Sequence, residues 1–176
     1  MSFYSKILTT PRVLIAPEDL LQEHDTATVQ IALQKKVKKL FGGSLAIRAV
    51  DAGSSNAEEQ ELTALANAYY DVERFGIHFV ASPRHADMLM VTGSVSRNMA
   101  GALRDVYEAT PEPKIVVAVG DAAIDGGIYK GSYAVLDGVH KIIPVHFQIP
   151  GNPPSPRRIV AALLRMLEIV DEKRKG

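Results

Sequence analysis

Two runs of apolar residues constrain this chain more than any other feature. Met88–Thr92 reads MLMVT, and Lys114–Val119 reads KIVVAV. Neither run alternates apolar with polar residues. A strand that meets water on one side must alternate, so an unbroken run belongs to a strand covered on both faces. Leu45–Val50, Ile77–Ala81 and Ile142–Phe147 are further strand candidates. Helical patterns lie between them. Ala57–Ala68 is rich in Ala, Leu and Glu, and Asn98–Ala109 sets Met99, Leu103, Val106 and Tyr107 on one side. Pro156–Val170 aligns Ile159, Leu163, Met166, Leu167 and Val170. Covered strands alternating with helices predict an α/β fold, a three-layer sandwich around a parallel sheet. In such sheets, sites form beyond the carboxyl ends of the strands. Four loops are expected there: Asp51–Asn56, Ser82–Asp87, Gly120–Gly127 and Pro150–Pro156.

Ahead of this pattern, residues 1–25 contain Pro11 and Pro17, lack periodicity and read as an extended arm. Residues 26–41 place Val29, Leu33, Val37 and Leu40 at helical spacing, and Gly42-Gly43 stops the helix. Lys35, Lys36, Lys38 and Lys39 crowd its other faces. A basic amphipathic helix of this kind lies on a membrane surface, on an acidic partner, or on its own domain with the lysines in water. The expected division is residues 1–43 as arm and amphipathic helix, and 44–176 as the α/β domain.

Charge and composition remove several function classes. Twenty Lys and Arg balance twenty Asp and Glu. Phosphate-neutralising proteins carry a basic excess, so nucleic acid is not an expected partner. No stretch reaches the ~20 apolar residues of a membrane span, and the start lacks a signal-peptide pattern. The expected location is cytoplasmic. The chain has no cysteine, which excludes thiolate nucleophiles and thiolate metal sites of its own. There is no G-x-x-x-x-G-K-[ST], no G-x-G-x-x-G after the first strand and no G-x-S-x-G elbow, so nucleotide binding and serine-hydrolase chemistry lack a motif. His24, His78, His85, His140 and His146 include no pair at i,i+4. Glu58, Asp121 and Asp125, with Asp51 nearby, can meet as a cation-binding carboxylate group or simply cap their own turns. Tyr69, Tyr70, Phe75, Met88, Met90 and Met99 suit either the core or a hydrophobic partner surface.

The loops themselves carry a series of motifs. They read D-A-G-S-S-N-A-E-E from Asp51, V-A-S-P-R-H-A-D from Val80 and V-T-G-S-V-S-R-N-M from Val91. P-E-P-K follows from Pro111, A-V-G-D-A-A-I-D-G-G from Ala118 and I-P-G-N-P-P-S-P from Ile149. In this order and spacing, from about Phe41 to Leu167, the chain resembles the 20 kDa subunit family of NADH–quinone oxidoreductase (respiratory complex I). The nearest likeness is to the small subunit of membrane-bound, energy-converting [NiFe] hydrogenases and formate hydrogenlyase.

That resemblance implies a flavodoxin-like fold and one [4Fe–4S] cluster held by four cysteines. It also implies a large, hydrogenase-like (49 kDa-type) partner, membrane-arm subunits, and a peripheral place on the cytoplasmic face of the cell membrane. Laid on this chain, the four cysteine positions are Ser55, Glu58, Ala122 and Asn152, while Asn56, Gly120, Asp121, Gly151, Pro153 and Pro154 keep the family's form. Arg84, His85, Asp87 and Asp121 are expected to line the site, with Arg84 serving it directly or pairing with Glu58 or Asp87. Clusters need soft, charged thiolates, so neither a cluster nor another metal is expected at these positions. The expected role is a non-catalytic, structural or coupling subunit of an oxidoreductase complex. Two other roles stay open: an electron-transfer subunit whose cluster comes from a partner or belongs to the parent sequence, and a stand-alone binding module that reuses the emptied pocket.

Overall fold

The computed structural model describes residues 13–14 and 26–175. Its strands are β1 (Val13–Leu14), β2 (Leu45–Asp51), β3 (Ile77–Phe79), β4 (Met88–Thr92), β5 (Ile115–Val119) and β6 (Phe147–Ile149). They form one sheet in the order β1-β6-β5-β4-β2-β3, and every neighbouring pair is parallel. Without the two-residue β1, the chain order across the sheet is 2-1-3-4-5, the flavodoxin-like winding. The helices are α1 (Thr26–Phe41), α2 (Ala57–Ala64), α3 (Met99–Ala109), α4 (Asp121–Asp125) and α5 (Pro156–Lys175).

The unbroken apolar runs have a direct cause. Successive residues of a strand point to opposite faces. Met88 and Met90 therefore enter one core with Leu33 and Val37 of α1 and Leu163 of α5. Leu89 and Val91 enter the other with Leu103 of α3. In β5, Ile115, Val117 and Val119 join the first core, and Val116 and Ala118 join the second. With helices on both faces all five residues of each strand are buried, and the one polar side chain among them, Thr92 at the end of β4, is hydrogen-bonded.

Lys114 belongs to the preceding helix rather than to the strand. Its buried ammonium donates to the carbonyls of Tyr107 (2.7 Å) and Thr110 (2.9 Å) and pairs with Glu112 (3.2 Å). A cation on the last carbonyls satisfies the open end of α3.

Helix α1 packs its apolar stripe into the first core beside α5. Part of its lysine face does the same. Lys36 and Lys39 reach the carboxylate of Asp171 on α5 at 2.8 and 2.6 Å, and that carboxyl is nearly inaccessible to solvent. Hydrogen bonds from the two ammonium groups hold the Asp171 carboxyl far below the ordinary carboxylate range. Lys35 and Lys38 face outward. Of the proposed arm, Val13–Leu14 pairs with Phe147 and Gln148 of β6; the rest, including His24, lies outside the described residues.

Three elements differ from expectation. Helix α2 ends at Ala64 because the backbone N–H groups of Leu65, Ala66 and Asn67 bond three residues back, tightening the chain out of α geometry. Helix α4 occupies a stretch read as loop. The last strand is Phe147–Ile149, not Ile142–Phe147. Pro144 has no N–H to give a ladder, and His146 bonds Val116 with its own side chain. The Val116 N–H donates to His146 Nδ1 (3.0 Å), and the His146 N–H donates to the Val116 carbonyl (2.9 Å).

This buried imidazole predicts a pH dependence. Burial pushes the His146 pKa down, against a weaker opposing pull from the Glu112 charge. A histidine with a depressed folded-state pKa contributes stability that is full above its unfolded value of about 6.5 and is lost as pH falls below it. Thermal melts between about pH 7.5 and 5 should therefore show a steeper acid loss in the wild type than in His146→Asn. Equal slopes would refute this role.

Candidate functional site

The carboxyl end of the sheet is built from three loops. At the end of β2, the Asp51 carboxylate accepts the N–H groups of Gly53 (2.7 Å) and Ser54 (2.8 Å). The Asn56 N–H donates to the Ser54 hydroxyl (2.9 Å), and Asn56 takes a left-handed conformation with φ 70°. This turn aims the first turn of α2 across the sheet end, where Glu58 is only 1% exposed.

The β5–α4 turn receives it. Gly120 has φ +88°, and a β-carbon there would stand 2.7 Å from Glu58 Oε1 and 2.8 Å from its Cγ. Only glycine lets the carboxyl lie in that space. The third loop joins through Asp121. The Asp121 N–H donates to the Gly151 carbonyl, and the Gly151 N–H donates to Asp121 Oδ1, both at 2.8 Å. The Gly120 N–H also donates to the Ile149 carbonyl (2.9 Å).

The β2–α2, β5–α4 and β6–α5 loops thus bring Ser55, Glu58, Asp121, Ala122 and Asn152 to one end of the sheet. Ser55 and Asn152 are exposed, Asp121 and Ala122 are half-buried, and Glu58 is buried. Burial raises the Glu58 pKa, and the negative charges of Glu59, Asp121 and Asp51 push the same way; a backbone hydrogen bond opposes them. Glu58 Oε2 has no hydrogen-bond partner among the described residues.

Arg84, His85 and Asp87 do not join this group. Arg84 and His85 are exposed on the single turn Pro83–His85 that leads into the start of β4. The Asp87 N–H donates to the Ala46 carbonyl, and its carboxylate accepts the Ala46 N–H, both at 2.9 Å. That is the amino end of β2 and β4, a strand length of about 13 Å from Thr92. The cause is the short β3, which pairs only with Leu45, Ala46 and Ile47. The chain leaves β3 low on the sheet and returns at once to the start of β4. Arg84 forms no ion pair with Glu58 or Asp87.

Asp125 is also drawn away from Glu58. Its carboxylate pairs with Lys130 (2.8 Å) and accepts the Gly127 N–H (3.0 Å). Among the described residues, no group of three His, Asp or Glu side chains is arranged to hold a metal ion. A further contact had no signal in the sequence. The Glu59 carboxylate sits between the hydroxyls of Ser54 and Thr92. Thr92 is 33 residues away in the chain, so only the parallel register of β2 and β4 brings the two together.

Residues 56–166 match the family described as NADH ubiquinone oxidoreductase, 20 Kd subunit. The chain belongs to that family. Formate hydrogenlyase subunit 7 of Escherichia coli is 36% identical over 157 residues, which is 89% of this chain and 60% of that protein. An uncharacterised protein of Methanocaldococcus jannaschii is 44% identical over 131 residues, 74% of this chain and 88% of that one. In structure, the chain resembles a subunit of the membrane-bound sulfane sulfur reductase, an archaeal respiratory membrane complex. The TM-score is 0.66 with 30% sequence identity, over 85% of this chain and 77% of the other. The chain spans about three-fifths of the length of the Escherichia coli relative.

Members of the family bind an iron–sulfur cluster, and the residues present here do not fit one. The positions expected for the four ligands, Ser55, Glu58, Ala122 and Asn152, offer a hydroxyl, a carboxyl, a methyl and an amide. Iron in such clusters is held by thiolate sulfur, and in Rieske centres partly by imidazole; neither is present at these positions. The Glu58 carboxyl also fills the space above Gly120. Among the described residues, no helix is long and apolar enough to cross a membrane.

The buried carboxyl of Glu58 has a measurable signature. Its folded-state pKa is raised, so below its unfolded value the group is neutral in both states and carries no penalty. The penalty grows as pH rises through the folded value. Glu58→Gln should match the wild-type melting temperature near pH 4, just below the ordinary carboxyl value, and exceed it near pH 7.5, about three pH units above that value. A variant less stable than wild type at neutral pH would show that the ionised carboxylate is a favourable partner instead.

Proposed function

We propose that the chain is a small subunit of a membrane-associated respiratory complex related to complex I and the energy-converting hydrogenases, with a structural or coupling role in place of electron transfer. One observation carries this reading. The three loops keep the family's frame, including Gly120, Asp121 and Gly151, while none of the four ligand positions holds a thiolate. A frame kept without its ligands fits selection for loop shape at a subunit contact.

In this reading the carboxyl-end loops dock a large, hydrogenase-like subunit. Residues 1–43 face the membrane arm, with Lys35 and Lys38 on the outward side of α1, and residues 44–176 form the docked α/β domain. The chain carries no cofactor and lies at the cytoplasmic face of the membrane, held there by its partners.

Iron and acid-labile sulfide analysis of the anaerobically purified chain, with electron paramagnetic resonance after reduction, tests the proposal. The expected result is no stoichiometric iron or sulfide and no cluster signal. A [4Fe–4S] signal assigned to this chain would overturn the reading. So would isolation of the native chain without any hydrogenase-like partner.

A further inference from the structure

Beside the emptied ligand positions lies a surface that neither the cluster frame nor the core explains. Ile128 is 79% exposed, Tyr129 43% and Tyr133 90%. Large apolar side chains are normally scattered singly on a surface, and a local concentration marks a contact site. The surface begins at the old site, because Gly127 packs on the backbone of Ala122, 3.1 Å from where its β-carbon would stand.

The segment is held rigidly for a stretch of loop. The Leu136 N–H donates to the Val95 carbonyl (2.7 Å), and the Val95 N–H donates to the Asp137 carbonyl (3.0 Å). The Arg97 N–H donates to the Ala134 carbonyl (3.0 Å), and Arg97 Nε donates to the Tyr133 carbonyl (2.6 Å). The loop after β4 thus braces the backbone that carries the exposed rings. Holding a contact surface in its bound shape removes part of the ordering cost of association. An open pocket of about 410 Å³ adjoins Tyr133; its lining includes Arg97, Val135, Leu136 and Ile142 together with Asp137 and Lys141.

The charges identify the occupant. Lys130 is paired with Asp125, and Lys141 with Asp137 at 2.6 Å. Arg97 has no ion pair among the described residues, so beside the neutral Lys141–Asp137 pair in the pocket wall its guanidinium is the charge left over. We propose that segment 128–136 is a docking arm for a partner subunit that offers a bulky apolar side chain next to a carboxylate. The apolar group fills the pocket beside Tyr133, and the carboxylate meets Arg97. A second copy of this chain is a poorer fit, because a twofold contact sets the patch against itself and its carboxylates, Asp125 and Asp137, are already paired. A membrane surface is a poorer fit as well, since anionic lipid is held by clusters of roughly four to eight free cations.

This inference rests on the subunit reading above, and the test separates the two. The full chain is tagged, carries Tyr133→p-benzoylphenylalanine and is purified with its native complex in mild detergent. Irradiation is expected to cross-link position 133 to a segment of another subunit in which Asp or Glu neighbours a large apolar residue. Tyr133→Ala and Arg97→Glu are expected to lower the yield of that subunit about tenfold, with thermal melts like wild type. Glu108→Ala, at an exposed position on α3, should leave the yield unchanged. An intact complex with no cross-link from position 133, or with a cross-link to lipid or to a second copy, overturns the docking arm alone. A wild-type chain that purifies without any other subunit overturns the arm and the subunit reading together.

Discussion

Gly93→Ala should be among the most damaging single substitutions in the chain. Gly93 follows β4 directly and has φ +78°. An alanine in this left-handed conformation costs about 1–2 kcal/mol in itself. Its β-carbon would also stand 2.3 Å from the Ser54 nitrogen, 2.5 Å from Ser54 Cα and 2.7 Å from the Gly53 carbonyl carbon. All three are backbone atoms, and the Asp51 carboxylate clamps both N–H groups of that turn. The turn cannot move aside without breaking those solvent-exposed bonds, each worth about 0.5–1.5 kcal/mol net. The sum, about 3 kcal/mol or more, is a large part of the 5–15 kcal/mol that holds an ordinary domain together. Denaturant unfolding would read the loss, and the β2–α2 loop carrying Ser55 and Glu58 should lose amide-exchange protection first. Gly101→Ala is the control. Gly101 lies in α3 with open space around it, and alanine there should stabilise by about 0.5–1 kcal/mol. A Gly93→Ala protein as stable as wild type would mean the two loops are not in contact.

Phe147→Ala should have a comparable effect for a different reason. Phe147 is 2% exposed and is among the largest fully buried side chains. It lies in β6 opposite Val117 of β5 and Val13 of β1. Removing a buried phenylalanine costs about 3–5 kcal/mol, from lost transfer energy plus the cavity that remains. For a chain of this size that lowers the melting temperature by about 6–20 °C. Phe147→Leu, which refills most of the volume, should recover the greater part. If Phe147→Ala melts within a few degrees of wild type, β6 does not close this edge of the core.

The contrast between these two sites shows what was legible beforehand. Burial of Phe147 could be read from an apolar run, but its strand could not be placed correctly. The expected strand started five residues early, because Ile142, Ile143 and Val145 look like strand residues. Pro144 and the side chain of His146 interrupt the ladder. A histidine that bonds a backbone N–H on another strand leaves no mark in local sequence. The Gly93 contact is of the same kind. The glycine is visible, but its neighbour, Ser54, is 39 positions away.

The family resemblance implies the four ligand positions; in the sheet β6 and β5 are neighbours, and β4 lies between β5 and β2. The same resemblance put Arg84, His85 and Asp87 with them, and there it failed. Spacing along the chain says which loop follows which strand. It does not say how far up the sheet a strand ends, and β3 stops after three residues.

By itself, the sequence determined the layer architecture and the chemistry that is missing. Covered strands need unbroken apolar runs, and thiolate chemistry needs cysteine; both are properties of residue types in order. The tertiary structure alone decided which charges meet. It turned Lys36 and Lys39 onto Asp171, gave Asp125 to Lys130, and left the Glu58 carboxyl buried over Gly120. The physical reason is distance. A hydrogen bond or an ion pair needs atoms within about 3–4 Å, and strand register and helix packing set separations on that scale between residues far apart in the chain.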